Sequence, residues 1–408
     1  MIKFALIKEE KTPPDRRVVF SPNKLKEVVN SFPEASFKVQ SSSIRVFSDQ
    51  EYRDAGFEVS DDVSDCDVLL GVKEVPLPAL IPNKKYFFFS HTIKKQAYNR
   101  DLLREILTNN IELYDHEVVV NQEGHRLIGF GRYAGLVGTY NGFRGIGLKE
   151  NLYTLPKVES LTDLDAMLAE LNNIKVPPIK IVLTGAGKVA RGAKEVLDHL
   201  KIRELEVDAF LEFNGKDPVY CNIDVLDYNK RKDETKGSQA EFFKDPSGYE
   251  SNFMRFARCS DFFISGHFYG DGAPVFFTAE NAKLKNFRIK YIADISCDIK
   301  GPIASTIRPS TIAEPFYGYN AKNEIETDFR ESDSILVMAV DNLPCELPKD
   351  ASEGFGDMFM EHVIPAFFNN DKNAVLQRAR ITQNGKLTPR FSYLQDFVDG
   401  KLKPNEYA

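Results

Sequence analysis

The chain has 408 residues, of which 42 % are hydrophobic, with 53 basic and 60 acidic side chains and a formal net charge of −7. That length exceeds one compact core and predicts about two domains at roughly 100–200 residues each, while the apolar content excludes a disordered chain. The acidic balance argues against a nucleic-acid partner. No stretch approaches the roughly 20 apolar residues of a membrane helix, and the opening MIKFALIKEEKTPPDRR turns charged before a signal-peptide core can form, so no membrane partner and a cytoplasmic location are expected.

Short β-rich runs alternate with helical patterns, the mark of an α/β chain with largely parallel sheets. The first run is KFALIKE. Ser21-Pro22 then offers an N-cap with proline at the first helical position, opening NKLKEVVNSF. FKVQ, DVLLGVKEVP, KYFFFSHTIKKQ and IELYDHE follow as strands, with a helix through RDLLREILTNN. Phe130 to Glu150 is glycine-rich yet spaced like a helix that packs closely on a neighbour, and is read as a connector between domains. Later runs FFISGHFY, RIKYIADIS and ILVMAVDNLP look like buried strands, and SEGFGDMFMEHVIPAFFNN like an amphipathic helix. The polar stretch from Asn229 to Ser251 has no assigned element. Cys66, Cys221, Cys259, Cys297 and Cys345 are at least 38 residues apart, which leaves no zinc spacing; no metal is expected, and the thiols are read as buried and reduced.

The clearest supersecondary unit is IKIVLTGAGKVARGAKEVLDHL. Gly185 and Gly187, with Ala190 in third place, fit G-x-G-x-x-G/A between a strand and a helix, so the turn that includes Lys188 and Val189 is expected to bind a dinucleotide. Glycine there lets the backbone approach a pyrophosphate, whose charge rests on the helix N-terminus. VDAFLE is read as a second β-like run ending in Glu212, the candidate ribose acid, although it lies 27 residues beyond Gly185; Asp208 competes for the role. Residues 201–250 carry 8 basic and 12 acidic side chains, which disfavours a 2′-phosphate, while Arg231 and Lys232 would welcome one. The cofactor is therefore NAD or NADP, with NAD slightly ahead on local charge.

Three ionisable residues fall just beyond buried β-like runs: Lys73 after DVLLGV, His91 after YFFFS and Asp298 after YIADISC. Ligands of open α/β sheets bind beyond the carboxyl ends of strands, which places these residues well for chemistry. His116, His125, His199, His267 and His362 have no such claim and are read as structural or surface groups.

At these residues the sequence resembles a family. GVKEVP, FFFSHTIKKQ, LYDHE, GHRLIGFGRYAG, the TGAGKVARGA turn and ADISCD occur in order over nearly the whole chain. Together they resemble the saccharopine dehydrogenase and lysine–ketoglutarate reductase branch of the alanine dehydrogenase superfamily. The resemblance implies two Rossmann-like domains with a cleft between them. The nucleotide domain, 136–331, would be inserted in a substrate domain made of 1–135 and 332–408. It implies reversible joining of L-lysine and 2-oxoglutarate through an imine to give saccharopine, linked to NAD or NADP, with the branch most similar in sequence pointing to NADP. Lys73 and His91 would be the acid–base pair. Arg17, Lys94 and Arg126 would meet substrate carboxylates, and Glu74 and Glu117 would balance charge or hold the substrate ammonium. Asp298 would lie near the nicotinamide, with Asp294 of the same strand on the cofactor side, though read from its position as structural. Two other readings stay open: an amino-acid dehydrogenase using ammonia and a small 2-oxo acid, and a catalytically silent module that senses NAD(H).

Overall fold

The structure, a computed structural model, describes residues 1–12, 14–270 and 272–402. It divides into two compact units, Met1–Phe130 with Pro348–Ala408, and Gly131–Leu347.

The first unit is built on β1 (Ile2–Leu6), β2 (Ala35–Gln40), β3 (Glu58–Ser60), β4 (Val68–Leu70), β5 (Lys85–Phe88) and β6 (Glu112–Asp115). All pair in parallel, in the order β3-β2-β1-β4-β5-β6. Strands covered on both faces need apolar side chains on both, which is why KFAL, VLL and KYFF read as continuous runs. Successive side chains point to opposite faces. On one face Phe4 meets Phe367 at 5.1 Å and Phe87 meets Phe359 at 5.7 Å between ring centroids. On the other, Ala5, Tyr86 and Phe88 join Leu103, Ile106, Phe391, Leu394 and Phe397 in one buried cluster. The C-terminal segment thus covers both faces of a sheet laid down by the first 115 residues. The helix Pro22–Ser31 starts as its sequence dictates: Ser21 Oγ accepts from Lys24 N at 3.1 Å, with Pro22 in the first turn.

The second unit is built on β7 (Lys180–Thr184), β8 (Arg203–Glu204), β9 (Val219–Ile223), the small hairpin β10 (Asn229–Arg231) and β11 (Tyr249–Ser251), then β12 (Phe262–Ser265), β13 (Tyr291–Asp294), β14 (Phe316–Asn320), β15 (Ile325–Thr327) and β16 (Ile335–Met338). Its main sheet runs β15-β14-β16-β13-β12-β7-β9-β8, every pairing parallel except those of β14, which is antiparallel to both its neighbours. Three expectations change here. β16 pairs with β13, so the sheet holds the chain in this unit to Leu347 and not to 331. VDAFLE is a helix, Val207–Glu212, with only Phe210 fully buried; β9 is the strand beside β7. The polar 229–251 stretch is an ordered hairpin whose Tyr249 packs with Phe242 on the unit's core.

The glycine-rich Phe130–Glu150 segment forms the helix Gly131–Glu150. A Cβ at Gly135 would come within 2.0 Å of Val189 O, and one at Gly192 within 1.9 Å of Arg132 O. Two helix backbones therefore touch directly, a separation that only glycine permits. Gly192→Ala is expected to destabilise the chain by about 1–3 kcal/mol, the usual cost of overpacking, read as a lower urea midpoint. Glu346 and Asn141 form a buried pair, Asn141 Nδ2 donating to Glu346 Oε1 at 2.9 Å. Burial pushes this carboxyl from 4.5 up to about 7. The folded chain then binds the extra proton between those values, so the contribution to stability falls as pH rises from about 4.5 through about 7. Glu346→Gln removes that slope, and its stability relative to wild type should rise by about 1–3 kcal/mol between about pH 5 and about pH 8, measured by denaturant titration.

Candidate active site

In the first unit the strand order reverses beside β1, between β1 and β4, and this is where an open α/β sheet leaves room for a ligand. Glu9 follows β1, Lys73 and Glu74 follow β4, His91 follows β5, and Glu117 follows β6. Four strands thus bring polar residues to one edge, Lys73 and His91 among them.

His91 sits at φ 52°, a left-handed conformation unusual for a residue with a Cβ, and Asn99 Nδ2 donates to its carbonyl at 3.2 Å. Its ring Nδ1 lies 2.6 Å from Glu74 Oε1, and Lys11 Nζ donates to Glu74 Oε2 at 2.8 Å. Burial works against ionisation of Glu74, but the His91 hydrogen bond and charge, with Lys11, hold its carboxyl down at about 2. An ionised Glu74 keeps the His91 proton on Nδ1, which leaves Nε2 to exchange protons. Glu117 takes the guanidinium of Arg126, Nη2 to Oε1 at 2.9 Å, with Arg126 Nε on the Glu117 carbonyl at 3.1 Å. Arg126 is exposed, and Lys94 is half-buried at the end of the turn that follows His91.

Arg17 differs from the open carboxylate anchor expected. It is buried, stacks at 4.2 Å over Phe130, and grips Asp15 with Nε at 3.0 Å and Nη2 at 2.5 Å. Burial of Asp15 is more than offset by Arg17, so its carboxyl is held well below the usual range.

Several buried polar groups at this edge were not legible as site residues. Glu9 accepts from Val72 N at 2.6 Å and Lys73 N at 2.8 Å, and burial pushes it up to about 8. Asp115 accepts from Ser90 N at 3.1 Å, from the Ser90 hydroxyl and from Glu117 N at 2.7 Å; burial pushes it up to about 6. His116 donates from Nε2 to Gly71 O at 2.8 Å. Glu9 lies three residues past β1 as Lys73 lies three past β4, but its backbone partners leave no mark in the sequence.

In the second unit the reversal lies between β7 and β12. Gly185 adopts φ +99°, and a Cβ there would meet Gly266 O at 2.5 Å, so glycine is required by both conformation and space. Gly187 caps the helix Lys188–His199, with nothing within 4 Å of a Cβ built on it. Ala190 is buried against the turn, and Lys188 and Val189 open the helix. This bare helix N-terminus behind two glycines fits a dinucleotide pyrophosphate.

Glu212 is not at that edge. It closes its helix beside Phe213, whose carbonyl accepts from Lys180 Nζ at 3.1 Å, at the amino end of β7. Asp208 lies in the same helix. The acidic residue at the carboxyl end of the strand next to β7 is Asp224, immediately after Ile223, whose carbonyl accepts from Gly185 N at 3.0 Å. Sequence spacing counted from the wrong element missed it. Asp294 is fully engaged within the fold: its carboxylate accepts from Ser265 Oγ at 2.5 Å, Thr306 Oγ1 at 2.6 Å, Ser296 Oγ at 2.7 Å and Cys297 N at 3.0 Å. These bonds give Asp294 the structural role read from its position in the strand. Asp298 follows on the loop this hub holds, half-buried, its carbonyl accepting from Gly301 N at 3.0 Å.

Two Rossmann-like units with a dinucleotide turn in the second define the class, and comparison with known proteins agrees. Residues 6–137 match the alanine dehydrogenase/PNT N-terminal domain family. A solved L-alanine dehydrogenase shares the fold at TM-score 0.62 and 15 % identity, covering 98 % of this chain and 99 % of that one. More narrowly, the chain is 32 % identical over 397 residues to the α-aminoadipic semialdehyde synthase of Arabidopsis thaliana, covering 87 % of this chain and 37 % of that protein. It is 23 % identical over 377 residues to the saccharopine dehydrogenase [NAD(+), L-lysine-forming] of Yarrowia lipolytica, covering 88 % and 90 %. The chain is a homologue of both, and it spans less than half the length of the Arabidopsis relative. Among the described residues no helix is long and apolar enough to cross a membrane.

Gly187→Ala should fold with wild-type stability, since φ is −85° and the space is open. It should weaken dinucleotide binding at least tenfold by placing a methyl group where the pyrophosphate approaches, measured by calorimetric titration with NADH and NADPH.

Proposed function

We propose that this chain is a nicotinamide-nucleotide-dependent oxidoreductase that interconverts saccharopine with L-lysine plus 2-oxoglutarate. The observation that carries the reading is the His91–Glu74–Lys11 chain beside Lys73 at the reversal of the first sheet, in a homologue of saccharopine dehydrogenases.

The amine must lose a proton to attack the ketone, the resulting hydroxyl must leave as water, and the imine forms. Each proton transfer gains from a positioned acid or base. Lys73 and His91 take these roles: His91 exchanges protons through Nε2 because Glu74 holds Nδ1, and Lys73 protonates the departing hydroxyl. Bound nicotinamide nucleotide supplies the hydride that reduces the imine carbon to the secondary amine, and accepts it in reverse. Arg126 and Lys94 meet substrate carboxylates, with the Arg126 fork shared with Glu117. Gly185, Gly187, Lys188, Val189 and Ala190 form the pyrophosphate turn, and Asp298 lies toward the nicotinamide.

Asp224 takes the ribose in place of Glu212. It caps the next helical turn through Val225 N at 2.6 Å, and each carboxylate oxygen has a second lone pair for a hydroxyl. The cations that would favour NADP are engaged: Arg231 is bidentate on Asp233 at 2.9 and 2.7 Å, and Lys232 donates to Ser247 O at 2.8 Å. Both features favour NAD.

Oxidation of the reduced cofactor is followed with L-lysine and 2-oxoglutarate offered together and singly. Turnover should require both, and be faster with NADH than with NADPH; no turnover with either cofactor would refute the reading. Lys73→Met should lower kcat by about 10²–10⁴-fold while leaving NADH affinity unchanged. His91→Gln should likewise lower kcat with NADH affinity unchanged.

A further inference from the structure

The segment Gly71–Val72–Lys73 carries the chain out of β4 and presents Lys73. Two of its polar groups simply extend the ladder with the neighbouring strand: Gly71 N donates to Phe87 O at 2.8 Å, and Val72 O accepts from Phe89 N at 3.0 Å. Three others are taken by side chains. Glu9 spans two amides, accepting from Val72 N at 2.6 Å on one oxygen and Lys73 N at 2.8 Å on the other, while His116 donates to Gly71 O at 2.8 Å.

Neither side chain is a cheap way to satisfy a backbone. Both are buried. Burial pushes Glu9 up to about 8 and His116 down to about 4, so each sits where its charged form is disfavoured. Donating from Nε2 leaves the His116 Nδ1 lone pair buried without a hydrogen bond among the described residues, inside a ring of Phe87, Phe89, Phe355 and Phe359. Gly71 makes room for the arrangement: a Cβ there would stand 2.9 Å from Ile7 Cδ1 and 3.5 Å from Glu9 Oε1.

We propose that Glu9 and His116 are positioning residues, a two-sided clamp on residues 71–73 that sets the direction from which Lys73 meets the substrate. Glu9 comes from beyond β1 and His116 from beyond β6, so the clamp joins three strand ends that lie far apart in sequence. The inference rests on the reading that Lys73 takes part in the proton transfers. A displaced acid–base group loses rate more than substrate affinity, since a shift of about 1 Å costs on the order of 10²-fold.

The test measures kcat, KM and Tm of the full chain with L-lysine, 2-oxoglutarate and NADH. Glu9→Gln keeps the shape but turns one acceptor oxygen into an amide donor. It should lower kcat by about 10²-fold with the lysine KM within about threefold, and should cause no further loss in a Lys73→Met background. His116→Phe removes the donor to Gly71 O and should lower kcat by about tenfold, with His116→Gln recovering most of it because its amide can donate again. Losses from Glu9→Gln and Lys73→Met that multiply would overturn the clamp and leave the functional reading intact. So would equal rates for His116→Phe and His116→Gln, which serves if Glu9→Gln fails to fold. A Lys73→Met enzyme with wild-type kcat would overturn the reading and the clamp with it.

Discussion

A parallel sheet that grows first to one side of its opening strand and then to the other sends its crossovers to opposite faces, and leaves the carboxyl edge uncovered where the direction reverses. Both sheets are built under this constraint. In the first unit the reversal separates β1 from β4, in the second β7 from β12. The residues that leave those strands are the ones with unusual requirements: Glu9, Gly71 and Lys73 in one, Gly185 and Gly266 in the other. Elsewhere the strands are held by apolar packing that many sequences could supply. At the reversal, backbone geometry and buried polar groups leave little choice of residue.

The first unit holds several carboxyls at this edge, and their surroundings separate their acid strengths. Glu74 is held down at about 2 because His91 and Lys11 outweigh its burial. Glu9 and Asp115 are buried without an adjacent cation of that strength and are pushed up to about 8 and about 6. An edge of this kind can hold one carboxylate charged beside a histidine while a second accepts backbone amides, although the two are of the same chemical type. Most of the ions are also paired locally, Arg17 with Asp15 and Arg126 with Glu117.

The strands that pass through a covered sheet were readable because burial on both faces forces unbroken apolar runs, and β1, β4, β5, β7, β12, β13 and β16 all appear where such runs occur. The residue just past each run was readable for the same reason, which is how Lys73 and His91 came forward. VDAFLE misled because six residues with four apolar positions satisfy a short strand as well as a short helix. The true neighbour of β7 is VYCNI, and Asp224 follows from that pairing alone. The passage near 332 was set too early because ILVM looks the same whichever sheet it joins; only its pairing with β13 and β14 holds it in the second unit. Glu9 and His116 were hidden for a different reason. Their partners are main-chain groups about 64 and 45 residues away, and a sequence carries no mark of which backbone amide or carbonyl will lack a neighbour.

The glycines of the Gly131–Glu150 helix complete the argument for the nucleotide turn. A Cβ at Gly131 would lie 3.1 Å from Lys188 Cβ, and the contacts of Gly135 and Gly192 are closer still. Arg132 then fastens the pair of helices through a bidentate bond to Glu195 at 2.7 and 2.6 Å. Side chains at an ordinary helix interface can repack and let the helices slide, whereas backbone in contact with backbone cannot. The helix whose N-terminus faces the turn is therefore located by its main chain, and the spacing between Gly185, Gly187 and that N-terminus is set before any ligand arrives. The low side-chain content that lets this segment pack so closely on its neighbour is what fixes the position of that N-terminus.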